Sequence, residues 1–191
     1  MPDITVVPAT GDLLDDVLEV VPSGRGCTCQ YFRMSSGEYS KATEDDRLNA
    51  LRRQLAGTPA PGMVAYEGDR PVGWVGFGPR LDYARLVRSR TIPWVVEDDP
   101  VWSIVCFNIR SGYRRSGITK RLLAGVIEYA RKMGAPALEA YPIDPGGKRV
   151  STAFLYVGTV KTFEEAGFRR VTETGSKSAG LTRWLMRLEL S

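Results

Sequence analysis

Residues 101–131 read VWSIVCFNIRSGYRRSGITKRLLAGVIEYAR. Residues 101–109 are rich in β-branched and aromatic side chains and carry no formal charge, which predicts a strand. Residues 110–116 predict a turn that carries Gly112 and the arginines Arg110, Arg114 and Arg115. The period then changes: Ile118, Leu122, Val126 and Tyr129 are spaced four, four and three apart, one face of a helix. A strand, a basic glycine-containing turn and a helix in that order suit an anion. The first N–H groups of a helix have no internal partner, and the helix dipole adds positive potential there. Arg114, Arg115, Lys120 and Arg121 surround that terminus, and Gly117 lets an anion approach the main chain.

Outward from this stretch, the chain has 191 residues, enough for one domain with a substantial core. It is 43% hydrophobic and 25% charged, and no apolar run reaches the length of a membrane span. The N-terminal MPDITVVPATGDLLDD lacks the basic-then-apolar layout of a signal peptide. Three cysteines, an odd number, fit a reducing compartment better than a disulfide framework, so a cytoplasmic protein is expected. The net charge of +4 is modest, and aromatics interleaved with basic residues on a sheet are not evident, so no nucleic-acid partner is expected. Histidine is absent, which removes His-based triads, His–zinc sites and His general bases. Cys27 and Cys29 have only Cys106 as a third thiol, and no metal site is expected.

Upstream, residues 3–8 predict a first strand and residues 12–21 a helix. Residues 22–33 read as a loop with an aromatic patch. A second helix is expected from Thr43, with Asp46 in the capping-box position, to Gly57. Residues 63–67 and 71–77 flank Gly68-Asp69-Arg70, a hairpin signal. Residues 79–100 are long for a plain loop and suggest a functional flap or extra short elements. Downstream, residues 137–141 predict a strand and residues 151–165 a helix that leaves at Gly167. Residues 168–172 and 183–190 predict final strands, joined by a Gly/Ser-containing stretch. The order alone gives an α/β protein of a single domain over residues 1–191.

The turn Arg114-Arg115-Ser116-Gly117-Ile118-Thr119 resembles the acyl-CoA-binding signature of the GNAT superfamily of N-acetyltransferases, Gln/Arg-x-x-Gly-x-Gly/Ala between a strand and a helix. Thr119 departs from the small final residue. A second similar feature is Phe163-Glu164-Glu165-Ala166-Gly167-Phe168, where the family ends its last helix with an aromatic–Gly–Phe pattern. The resemblance implies a mixed, mostly antiparallel sheet flanked by helices, with a splayed parallel strand pair holding acyl-CoA. It implies acetyl-CoA as cosubstrate, bound by Phe107, Asn108, Ile109, Arg114, Arg115, Ser116, Gly117, Ile118, Thr119 and Lys120, with the first three acting through their backbone. It also implies transfer to an amine of a small molecule or protein, by direct attack in a ternary complex, with residues 27–32 near the acceptor. A non-catalytic acyl-CoA binder or sensor of the same fold is the alternative, and a homodimer is one possible assembly.

The chemistry needs a base for the amine, a donor to the thioester oxygen and an exit for the thiolate. The central strand holds no carboxylate, so Glu139 on the following strand is the base candidate, with burial expected to raise its pKa. An N–H near Phe107 or Asn108 is the candidate oxyanion donor. Many members of the family place a tyrosine on the last helix to protonate the sulfur, and the matching residue here is Phe163. Tyr156, on nearly the same face of the expected helix but roughly 10 Å along its axis, and Tyr141 are the other hydroxyls. Water or the amine's own proton is expected to serve instead.

Overall fold

The uncharged run at the head of the quoted stretch is the fourth of seven strands in one sheet. The computed structural model describes residues 3–21, 26–95, 100–148, 150–151 and 154–190. In chain order the elements are β1 (Ile4–Pro8), α1 (Leu14–Val20), α2 (Ser36–Lys41), α3 (Glu44–Leu55), β2 (Gly62–Glu67), β3 (Arg70–Pro79), α4 (Ala84–Val87), β4 (Trp102–Ile109), α5 (Ile118–Lys132), β5 (Ala137–Ala140), α6 (Val160–Glu165), β6 (Arg169–Ser178) and β7 (Leu181–Glu189). The strands lie in the order β1-β2-β3-β4-β5-β7-β6. All neighbours are antiparallel except β4 and β5, which run parallel. The expected mixed, mostly antiparallel sheet with one parallel pair is the architecture observed.

Each face of the sheet has its own core. On one face α5 lays Ile118, Leu122, Leu123, Val126 and Ala130 against Val75 and Phe77 of β3, Ile104 and Phe107 of β4, and Leu138 of β5. Burying each large aliphatic side chain contributes about 1.5–3 kcal/mol, so this stripe fixes the helix on the sheet. On the other face Val17 and Val20 of α1 and Leu51 and Leu55 of α3 cover Val64, Trp74, Val105 and Cys106. α3 starts where its sequence says: Thr43 accepts from the Asp46 N–H while the Asp46 carboxylate accepts from the Thr43 N–H. The same device, Ser35 with Glu38, starts α2, a helix in a stretch to which the sequence pattern assigns no element. None of the described helices is long and apolar enough to cross a membrane.

The main departure lies after β5. A helix was expected over residues 151–165, of which Thr152 and Ala153 lie outside the described residues; α6 begins only at Val160. Gly158 has φ +84°, a left-handed conformation that interrupts a right-handed helix, and Thr159 then caps the new one by accepting the Thr162 N–H. Tyr156 therefore lies in a turn rather than on a helix face. The Gly/Ser-containing stretch near residue 175 is strand, because β6 and β7 form one long hairpin that reverses at Ala179-Gly180. Residues 79–100 include two short elements, a 3-10 turn over Arg80–Asp82 and α4.

Candidate active site

Strands β4 and β5 pair at only three positions, Trp102 with Leu138, Ser103 with Glu139 and Ile104 with Ala140. β5 ends there while β4 continues to Ile109, so the sheet opens beyond Ile104. The opening coincides with a bulge in β4. Gly76 faces Cys106 and Phe77 faces Ile104, which leaves Val105 as the extra residue. A bulge bends its strand and redirects neighbouring side chains, and Val105 and Cys106 both join the same core face. In the gap the Phe107 N–H donates to the Tyr156 carbonyl. The Arg110 N–H goes to Val72 on β3, so strand alternation turns the Ile109 N–H to the same side as that of Phe107.

A groove of about 830 Å³ runs from this gap to the N-terminus of α5. Nine of the ten residues expected to bind cofactor line it: Phe107, Asn108, Ile109, Arg114, Arg115, Gly117, Ile118, Thr119 and Lys120. Ser116 does not; its hydroxyl turns back to donate to the Tyr113 carbonyl at 2.5 Å. Its opposite wall is Leu155, Tyr156, Gly158, Thr159 and Thr162. The turn is tightly wound, with Arg115 at φ +65° and Gly117 at φ +85°. Glycine adopts the second value without steric cost, and a Cβ there would meet nothing within 4 Å, so the space over it is open. Among the described residues Arg115 pairs with no carboxylate, whereas Lys120 is bridged to Glu165 at 2.7 Å. Arg110 faces away, paired with Glu19 at 2.6 Å.

On the other side of Tyr156 is a smaller, largely apolar pocket of about 280 Å³, lined by Cys27, Cys29, Tyr31, Phe32, Val105, Cys106 and Tyr156. Tyr156 is shared by the groove and the pocket. Its hydroxyl accepts from Arg183 Nη2 at 3.0 Å, and Arg183 Nη1 donates to the Tyr141 carbonyl at 2.9 Å. Burial pushes the Tyr156 phenol up from its usual value, so its proton stays on at neutral pH. Arg183 went unremarked in the sequence, where it is one basic residue in an apolar strand. Three cysteines line the pocket, Cys27 and Cys29 from one loop and Cys106 from β4. Among the described residues no group of three or more His, Cys, Asp or Glu side chains is arranged to hold a metal ion.

The other two catalytic candidates fall elsewhere. Glu139 is fully buried and lines neither cavity. Its carboxylate is held by Arg80 Nη1 at 2.8 Å and Arg187 Nη1 at 3.2 Å, and it accepts from the Tyr141 hydroxyl at 3.2 Å. Both guanidinium groups hold this carboxylate inside the core, out of reach of an amine in either cavity. Tyr141 belongs to the same cluster, with Ser103 at 2.8 Å, and burial followed by the Glu139 charge raises its pKa. Arg80 completes the cluster by donating to the carbonyls of Ile92 and Pro93 and lying 4.1 Å from the Trp94 ring centre. Phe163 is also buried, packed on Phe107 and Phe168, and lines neither cavity.

With this geometry in hand, the wider likeness is clear. A model described as the acetyltransferase (GNAT) family matches residues 28–150, and the chain belongs to that family. Solved structures with the same fold include yncA of Salmonella typhimurium with its cofactor acetyl-CoA, at 17% identity and TM-score 0.58, covering 98% of this chain and 94% of that one. An N-acetyltransferase from Staphylococcus aureus Mu50 is similar at 16% identity and TM-score 0.58, covering 99% of both chains. Ard1 from Thermoplasma volcanium is similar at 14% identity and TM-score 0.57, covering 98% of both. No curated protein matches the chain.

Proposed function

We propose that the protein is an N-acetyltransferase that moves the acetyl group of acetyl-CoA to an amine by direct attack in a ternary complex. One observation carries this reading: β4 and β5 part after Ile104, and the gap runs directly into the groove that ends at the α5 N-terminus. A long ligand with a phosphate-rich end and a thin reactive arm fits that shape. Its pyrophosphate would lie over Arg115, Gly117 and the first N–H groups of α5, and its arm would follow the backbone of β4. The acyl carbon would then arrive beside Tyr156, with the apolar pocket on the far side for the acceptor.

In this reading the amine attacks the thioester carbonyl as the Phe107 N–H supports the developing oxyanion. That donor is free only when the Tyr156 carbonyl yields it, so binding of the acyl arm and movement of residues 155–158 are coupled. The Tyr156 hydroxyl accepts from Arg183, which leaves its own proton available for the departing sulfur. Among the described residues no carboxylate lines the acceptor pocket. Its apolar wall disfavours an ammonium ion, so desolvation itself lowers the amine pKa and favours the neutral nucleophile. Positioning supplies much of the remaining rate.

The second reading is a non-catalytic acyl-CoA binder, which the occupied Phe107 N–H favours. Release of free CoA thiol from acetyl-CoA across a panel of amines separates the two. Amine-dependent release supports the transferase, and tight binding without release supports the binder. The proposed setting is the cytoplasm, with the whole chain acting as one catalytic domain.

A further inference from the structure

Cys29 and Cys106 come from a loop and from β4, and their sulfur atoms lie 3.5 Å apart. Their meeting is built by several elements. Gly76 on β3 leaves the necessary space, since a Cβ there would be 2.7 Å from the Cys29 sulfur and 3.1 Å from that of Cys106. Thr28 and Cys29 both have positive φ, at 47° and 57°, a conformation that turns the loop inward. Gln30 anchors the loop through a reciprocal pair of side-chain amide hydrogen bonds with Gln54, at 2.9 and 3.0 Å. Trp74 Nε1 donates to the Cys29 sulfur at 3.3 Å. None of this serves the acetyl-transfer steps described above.

We propose that Cys29 and Cys106 are a redox modification site, at which a peroxide converts the two thiols to a reversible intramolecular disulfide. A disulfide needs its sulfur atoms about 2.0 Å apart, so the pair must close by roughly 1.5 Å. Both residues are nearly buried, at 7% and 9% exposure, yet both line the apolar pocket, through which a small oxidant reaches them. Cys29 is the attacking group: the Cys106 hydrogen bond, with Trp74 and the Arg33 charge behind it, lowers its pKa to about 7 against the cost of burial. Its thiolate attacks one peroxide oxygen and expels hydroxide, giving a sulfenic acid. The Cys106 sulfur then attacks the Cys29 sulfur and displaces the hydroxyl as water. Two thiols are oxidised by two electrons and the peroxide is reduced to two waters. Cys27 stays outside the pair because the close sulfur contact of Cys29 is with Cys106, across the space left by Gly76.

The bond would tie the α1–α2 loop to β4 at the residue before Phe107 and reshape the pocket. That this alters acceptor binding rests on the function proposed above; the disulfide itself does not. The test therefore counts thiols rather than turnover. The full chain is treated with stoichiometric hydrogen peroxide, unfolded, assayed for free thiols and mapped by mass spectrometry. The proposal expects three thiols to fall to one, a single 29–106 cross-link, monomeric chains on a non-reducing gel and full recovery with dithiothreitol. Cys27→Ser should retain the cross-link and Cys106→Ala should lose it. Persistence of all three thiols, a bridge that includes Cys27, or loss that dithiothreitol does not reverse overturns the proposal.

Discussion

The Tyr156 carbonyl accepts the Phe107 N–H at 2.5 Å, across the gap that opens where β5 ends. The strand N–H proposed as oxyanion donor is thus held by the chain's own backbone, and the residue that holds it carries the hydroxyl proposed as acid. Tyr156→Phe keeps the carbonyl and removes only the hydroxyl. We expect kcat to fall about 100-fold with acetyl-CoA affinity unchanged. Steady-state kinetics beside a binding titration checks this; a near-normal kcat returns the proton to water or the amine.

Gly117→Glu should abolish the rise in thermal midpoint that acetyl-CoA produces by binding the folded state. Position 117 has φ +85°, so any side chain there also costs backbone strain. Gly117→Ala carries the strain without the charge. Thermal melts with and without acetyl-CoA should show the shift retained in Ala and lost in Glu. Retention in both variants removes the turn from the binding site.

Glu139→Gln should act on stability. Removing the charge leaves Arg80, which is fully buried, and Arg187 without their shared anion. Breaking a buried pair on one side costs about 3–5 kcal/mol. Denaturant unfolding should report a loss of that order, with the acetyl-CoA shift preserved in the protein that remains folded. Unchanged stability with lost turnover would instead restore Glu139 as a base.

The Cys29 thiol, lowered from its ordinary 9.0 to about 7, predicts a pH dependence. Its folded pKa lies below its unfolded one, so its contribution to stability is present above about pH 9 and lost as pH falls through about 7. Cys106 shifts the other way, because the bond to Cys29 and then burial raise it, and its own contribution changes only above pH 9. In the Cys27→Ser protein, alkylation of Cys29 should be half-maximal near pH 7. Cys106→Ala removes the principal hydrogen bond and should move that midpoint upward. An unmoved midpoint contradicts the thiol pairing.

Much of this arrangement was legible in residues 101–131, because local pattern decides local structure. A charge-free β-branched run and a stripe at helical spacing predict β4 and α5, and the glycine and arginines between them predict the turn that joins the two. The helix expected through Tyr156 failed because apolar spacing suggested continuity while Gly158 and Thr159 imposed a stop and a new start. The setting of Glu139 was not legible because neither arginine that holds it is close in sequence: Arg80 follows β3 and Arg187 is on β7. The sulfur pair was hidden for the same reason. Cys106 stands in an apolar strand, and nothing near it in sequence points to Cys29 or to the space left by Gly76.

Acetyl transfer in the opening between β4 and β5 requires that thiol release depend on the amine. Its most direct test is the rate of CoA thiol release from acetyl-CoA, measured with amines that range from charged and polar to apolar, and across pH. Release should exceed the amine-free rate, be fastest for an apolar amine, increase with pH as the neutral amine accumulates, and be lost in Gly117→Glu. Acetyl-CoA that binds in the groove but releases no thiol with any amine would contradict it.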